Sequence, residues 1–504
     1  MTEPTTNGTD FPDSNHAMIT DKSDVKRRKS SVKVTVENQE EPKLKRSIGL
    51  FSATTMLIAN TGGNGIFIAS TAILYYAGSP GFALVLWVVS GLVNFGLSGC
   101  FTEVGLLLPK AGGPYFYVMQ VFGSLPGFVV LWGFLWMIMA PAWALGGYTA
   151  SLYIIKLAFP GCTPPDMGVK LLAAALLVIL MFLNCLYMKV VTKFQSVLSS
   201  LKVIAMLIII IGGMYKLSDK RYREQLPLFW EGTTTDPGNI ALGLVSGYFS
   251  YGGWQVITIL MEEVKDPIRN VPRSLSLTFI TVIILYTVTN FSYCVVLSMP
   301  EFLESNAVAV TFGYRLHPTL SVVISVLVAL SCVSSLNVLI LGQPRMVFAA
   351  GCNGHMPGLM GMINRKYLTP WPATFFVSIP ALAMLFSGSV VRLIDAMSLY
   401  TCMMVSSVLI VLLYLRWKKP TAKRPIKMPI ILPILELMLS TVLICLSIYQ
   451  KPLELGLCLA IVAAGIPVYF ICVKWKSKPK VFLRFMERST LFLKTLLYVE
   501  SPAQ

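Results

Sequence analysis

Long apolar runs alternate along this chain with short breaks rich in proline, glycine or charge. Runs such as 128–155, 171–186 and 275–297 approach or exceed the roughly 20 helical residues needed to cross a hydrocarbon core of about 30 Å. Setting the runs against their breaks predicts twelve spans, near 48–76, 82–108, 127–156, 168–187, 194–216, 239–262, 273–298, 319–348, 371–387, 392–415, 429–449 and 454–474. A further apolar piece, from Pro114 to Pro126, is too short to cross and reads as a re-entrant or surface helix. Glycine interrupts the first and sixth spans at comparable places, Thr61-Gly62-Gly63-Asn64-Gly65 and Tyr251-Gly252-Gly253-Trp254. Each run alone is read as close helix packing, which small residues permit. Paired five helices apart, the two suggest an inverted repeat with a ligand site at the breaks, where freed amides at the positive ends of half-helices suit a carboxylate.

Composition agrees with a membrane reading. The chain of 504 residues is 55% hydrophobic and 13% charged, against about 25% charged in a typical soluble domain, so too few polar side chains exist to cover a soluble globule. The net charge of +17 does not point to nucleic acid, because the basic residues sit between apolar segments. Clusters at Lys26–Lys29, Lys43–Arg46, Lys265–Arg273, Arg365-Lys366, Lys418–Lys427 and Lys474–Lys480 fall on one side if both termini are cytoplasmic; only the stretch from Lys216 to Asp236 opposes this. The first apolar run begins near Ile48, after a polar segment, so no secretory signal peptide is visible. Residues 1–46 are expected to be a disordered cytoplasmic tail, 47–475 the transporter domain and 476–504 a cytoplasmic C-terminal tail that either lies on the inner leaflet or caps the bundle. No HExxH, CxxC, nucleophile elbow or P-loop occurs, and the three histidines are far apart, so the expectation is a non-enzyme with neither metal nor cofactor.

The order Gly63-Asn64-Gly65-Ile66-Phe67, Phe249-Ser250-Tyr251-Gly252-Gly253-Trp254, Glu262-Glu263 and Ser305–Val310 resembles the L-type amino acid transporters, the light chains of heteromeric amino acid transporters. Cys100–Gly105, Gly112–Tyr115, Ala329–Cys332, Gly354–Pro357 and Arg424–Lys427 extend the likeness, which runs from about Leu44 to Val499. The resemblance implies an all-α polytopic membrane protein of twelve transmembrane helices: two inverted five-helix repeats, about 48–216 and 239–415, plus two helices at about 429–474. It implies sodium-independent exchange of amino acids by alternating access. The substrate carboxylate would meet the backbone of Thr61, Gly62, Gly63, Asn64, Gly65 and Ile66, and the α-amino group that of Phe249, Ser250, Tyr251 and Gly252, with Phe249 as an aromatic lid. Gly62-Gly63-Asn64-Gly65 departs from the usual Ile-Gly-Ser-Gly pattern, and the larger Asn64 side chain puts pocket volume and selectivity at issue.

A site for charged side chains should contain a compensating intramembrane ion. The third- and tenth-helix arginines that meet anionic substrate in the cystine and glutamate exchanger of that family correspond here to Ala140 and Thr401. A neutral substrate is therefore expected, a large or aromatic one if Trp136, Trp143, Phe249, Trp254 and Tyr400 line an apolar pocket; the alternative is that they only pack. Lys202 resembles the family lysine that replaces a sodium ion; the alternative is that it snorkels. Glu103 and Asp395 are alternatives for proton coupling. Cys162, in a short loop predicted to be extracellular, is a free thiol or an intermolecular bridge; the resemblance implies a disulfide to a single-span glycoprotein heavy chain. A transport-inactive sensor or scaffold, and a cystine/glutamate or cationic exchanger, remain as alternatives.

Overall fold

Proline in the first turn, with an oxygen or ring nitrogen just before it, starts several of the helices. Ser79 accepts from Phe82 N–H ahead of Pro80, Asp236 from Gly238 and Asn239 N–H around Pro237, and His317 Nδ1 from Thr319 N–H beside Pro318. The structure is a computed structural model and describes residues 46, 48–61, 65–158, 164–186, 188–223, 226–305, 307–387, 390–450, 452–475 and 480–501. Among these, eight helices are long and apolar enough to cross a membrane: Pro80–Leu107, Ser124–Ile155, Asp166–Leu186, Lys193–Leu217, Pro267–Val296, Pro318–Cys352, Met397–Lys418 and Gly456–Lys474. Leu50–Asn60, Trp371–Phe386 and Ile431–Leu446 are shorter apolar helices.

Two of the expected spans are not continuous helices. The first is divided into Leu50–Asn60 and Gly65–Ala77, and the sixth into Pro237–Ser250 and Val256–Ile259. The third begins as Ser124–Phe134, passes through a π-helical turn at Leu135–Met139 and continues as Ala140–Ala158. Outward positions such as Ile211, Leu171 and Ile284 are apolar and exposed, as a lipid-facing surface requires. Inside, amide and hydroxyl side chains join helices: Asn184 donates to Asn337, Asn337 to Gln195 and Gln195 to Ser334, at 2.7 to 2.8 Å.

The Pro114–Pro126 piece is no surface helix. It forms Gly113–Phe122, with Tyr115 and Tyr117 fully buried, and a sharp turn at Gly123 leads into the next helix. The C-terminal segment is folded as well: helix Lys480–Leu497 ends in Val499–Glu500, which pairs antiparallel with Ile363–Asn364. Asn364 donates to Leu497 O at 2.9 Å, and Arg365 pairs with Glu500. Ahead of the first helix, Ile48 bridges to Val264 through backbone bonds with Glu263 and Lys265.

Candidate functional site

The Leu50–Asn60 helix stops inside the bundle, and side chains from three other helices take up its last carbonyls. Lys202 Nζ donates to Ile58 O and Ala59 O at 3.3 and 3.4 Å, Ser335 Oγ to Ala59 O at 2.8 Å, and Tyr286 OH to Thr61 O at 2.9 Å. A helix C-terminus carries partial negative charge, so an ammonium is electrostatically suited to that position. Lys202 is 1% exposed, hence it does not snorkel to an interface.

The second interruption lies directly against the first. Tyr251–Gln255 turns between the two half-helices, and Gly253 adopts φ +97°, a conformation open mainly to glycine. A Cβ there would sit 2.5 Å from Asn60 O. Asn60 Nδ2 donates to Gly253 O at 2.6 Å, and Gln255 Oε1 accepts from Gly253 N–H at 2.9 Å. At the start of the continuing first span, a Cβ on Gly65 would meet Ser250 Cα at 2.9 Å. Two glycines thus let the broken backbones touch, which no bulkier residue would allow without displacement.

Between these breaks and the helices around them lies a cavity of about 560 Å³. Asn60 and Gly65 reach it from the first break, and Phe249, Gly252, Gly253 and Gln255 from the second; Ser335, Gln343, Ser398 and Thr401 add polar groups from elsewhere. Ile138, Ala142, Leu336 and Met397 contribute apolar walls, and no Asp, Glu, Lys or Arg is found among the described lining residues. Phe249 is 38% exposed, unusual for an aromatic residue inside a bundle.

The other expected site residues separate. Thr61, Ile66, Ser250 and Tyr251 are buried beside the breaks but do not line the cavity. Ser250 Oγ donates back to Ser246 O, and Tyr251 stacks with Trp87 and Tyr286. Thr401 lines the cavity while donating to Met397 O. Ala140 is fully buried and does not line it; Ile138 and Ala142, four apart on one helix face, do. Gly62, Gly63, Asn64 and Cys162 lie outside the described residues. Of the five aromatic candidates only Phe249 lines the cavity. Trp143 donates to Gln343 and Trp254 to Asn94, Tyr400 donates to Val130 O, and Trp136 stacks on Trp132.

Sequence reasoning passed over Asn94, Gln255, Ser335 and Gln343. Their signal was present: an amide or hydroxyl inside an apolar span must find a partner or a ligand. Glu103, an alternative for proton coupling, is instead held by Arg416 and Arg424 and accepts from Met428 N–H at 2.9 Å. The side chain of Asp395 lies outside the described set. Arg345 and Glu263 form a second buried pair, and Arg345 also donates to Leu341 O.

A family model described as "Amino acid permease" matches residues 48–466. The chain is 36% identical over 461 residues to the "Large neutral amino acids transporter small subunit 2" of Homo sapiens, an alignment covering 91% of this chain and 86% of that protein. It is 34% identical over 467 residues to the "Asc-type amino acid transporter 1" of Mus musculus, covering 92% and 88%. Similarity to the "Cystine/glutamate transporter" of Homo sapiens is 32% over 461 residues, covering 92% of each.

Proposed function

The chain belongs to the amino acid permease family, and from that premise we propose that it exchanges neutral L-amino acids across the plasma membrane by alternating access, without sodium. The observation that carries this reading is the uncharged cavity at the junction of the two broken helices. Gly65 starts one half-helix, whose first amides have no intrahelical partner, and Ser250 ends another, whose last carbonyls are likewise left over. A zwitterion placed between them sets its carboxylate at a positive helix end and its ammonium at a negative one. Its side chain then occupies the apolar part, between Ile138, Ala142, Leu336 and Met397, with Phe249 positioned to cover it.

The absence of charge among the described lining residues favours neutral substrates over glutamate or cystine, since a buried anionic side chain needs a cationic partner. Lys202 supports sodium independence by supplying, from within the chain, a positive charge at the carbonyls of Ile58 and Ala59. We read the architecture as twelve spanning helices in two inverted five-helix repeats plus two, with both termini cytoplasmic; the paired breaks support this. The relative named a small subunit supports a partner chain, which we read as a glycoprotein heavy chain joined through Cys162.

The test is exchange in proteoliposomes: efflux of preloaded labelled leucine, with and without unlabelled leucine outside, in sodium-free buffer. Trans-stimulated efflux is expected. Leucine binding without flux would replace this reading by an amino acid sensor, and uptake of glutamate in preference to leucine would refute the neutral-substrate assignment.

A further inference from the structure

The cavity has an ionisable neighbour that substrate binding does not use. Glu436, on the Ile431–Gln450 helix, is 4% exposed, yet its carboxyl makes no hydrogen bond or ion pair among the described residues. It differs in this from Glu103 and Glu263, whose arginine partners are in place. An intramembrane carboxyl without a counter-ion is costly in its charged form and is retained only where something recovers the cost.

Its surroundings give it a route to the cavity. Met428, just ahead of this helix, lies over Gly99 of the Pro80–Leu107 helix and Leu432, within it, over Gly96, which puts Glu436 one turn beyond Leu432. Another turn on, Ser440 Oγ lies 2.9 Å from Ser406 Oγ. Cys402, one turn from Ser406, and Leu443, just past Ser440, both line the cavity. The hydrogen-bonded Ser440 and Ser406 thus stand between the turn that carries Glu436 and the cavity-lining Cys402 and Leu443. The titratable groups of described side chains on the packed helices are Cys100 and Glu103 on Pro80–Leu107, Tyr400, Cys402, Tyr414, Arg416 and Lys418 on Met397–Lys418, Tyr248 on Pro237–Ser250 and Cys458 on Pro452–Val468. Cys100 and Tyr248 are within electrostatic reach of Glu436; of the two cations in the group, Arg416 is committed to Glu103 and Lys418 is exposed at the end of its helix.

We propose that Glu436 is a proton-binding site linked to transport: its carboxyl takes a proton from cavity water by way of Ser440 and Ser406, and the neutral acid stabilises the packed arrangement seen here. This rests on the transport reading. Losing the proton back to water would favour an arrangement in which the carboxylate is hydrated, so exchange depends on pH through this residue.

Two measurements on the full chain test the proposal. Infrared difference spectra of purified protein in nanodiscs are expected to show a carboxylic-acid carbonyl band that fades as pH is raised from mildly acidic to mildly alkaline and is missing in E436Q. Exchange of labelled leucine is expected to fall over the same pH range in the wild type, to lose that dependence in E436Q, and to regain it with a shifted midpoint in E436D. No missing band in E436Q, a band that never titrates, or identical pH profiles in wild type and E436Q would overturn the proposal. A titrating band with no leucine flux at any pH would support the proton site while refuting the transport reading, and an E436Q chain that fails to fold leaves E436D to carry both measurements.

Discussion

Replacing Gly253 by alanine tests the contact between the two broken helices most directly. The residue sits at φ +97°, where any side chain costs about 1–3 kcal/mol in backbone strain. The added Cβ falls 2.5 Å from Asn60 O and 3.1 Å from Asn60 Nδ2, and relieving such an overlap in a packed interior typically costs about 1–3 kcal/mol more. Movement of Gly253 away from Asn60 also stretches the 2.6 Å hydrogen bond between them, worth about 1 kcal/mol. Together these give a loss of about 3–7 kcal/mol, and even the lower bound is about 150-fold in a binding constant. Because relief requires the breaks to separate at the cavity, the loss should be read mainly in leucine affinity and exchange rate. Scintillation proximity binding and proteoliposome exchange measure these, with melting temperature recorded alongside. Gly456→Ala is the control, since a Cβ there meets nothing within 4 Å. Leucine exchange by G253A within about twofold of wild type, at an unchanged melting temperature, would refute the argument that these backbones must touch.

Lys202→Met removes the donor to Ile58 O and Ala59 O; hydrogen bonds to charged groups contribute about 1.5–3 kcal/mol each, so both melting temperature and leucine exchange should fall, and a variant with wild-type values would show Lys202 to be dispensable. Arg345→Met leaves Glu263 buried without its partner and should cost about 3–5 kcal/mol, whereas R345M with E263Q should recover much of it; equal losses in single and double variants of a melting series would contradict this. His355, bonded to Tyr115 OH at 2.8 Å, has its pKa lowered from the ordinary 6.5 by burial. Its contribution to stability is therefore complete above about pH 6.5 and lost as pH falls through the lower folded value, so the acid-side drop in melting temperature should be shallower in H355Q than in wild type. Cys162→Ser should abolish a reducible heavy-chain adduct on non-reducing gels of co-expressing cells; an adduct that persists would assign the bridge to another cysteine.

The eight long apolar helices were legible in the sequence because lipid enforces a local rule: each crossing must satisfy its own backbone and be apolar over about 20 residues. The places where that rule is suspended were legible too. The glycine runs beginning at Gly62 and Gly252 mark where the helices Leu50–Asn60 and Pro237–Ser250 end, since glycine weakens helix wherever it stands. What the sequence could not decide was which side chains face one another across helices. Ala140 was expected at the substrate, but it is Ile138 and Ala142, four apart on one helix face, that line the cavity. The Pro114–Pro126 piece was too short to cross and so read as re-entrant or superficial, and only the burial of Tyr115 and Tyr117 by helices distant in sequence excludes the superficial reading. Lys202 was ambiguous between snorkelling and a structural charge until the end of the first helix was found against it. Glu436 drew no notice as one acid in an apolar run, and only tertiary packing leaves it buried without a counter-ion among the described residues. Hydrophobic periodicity is a property of neighbours along the chain; burial, ion pairing and the cavity are properties of neighbours in space, and those belong to the packed bundle.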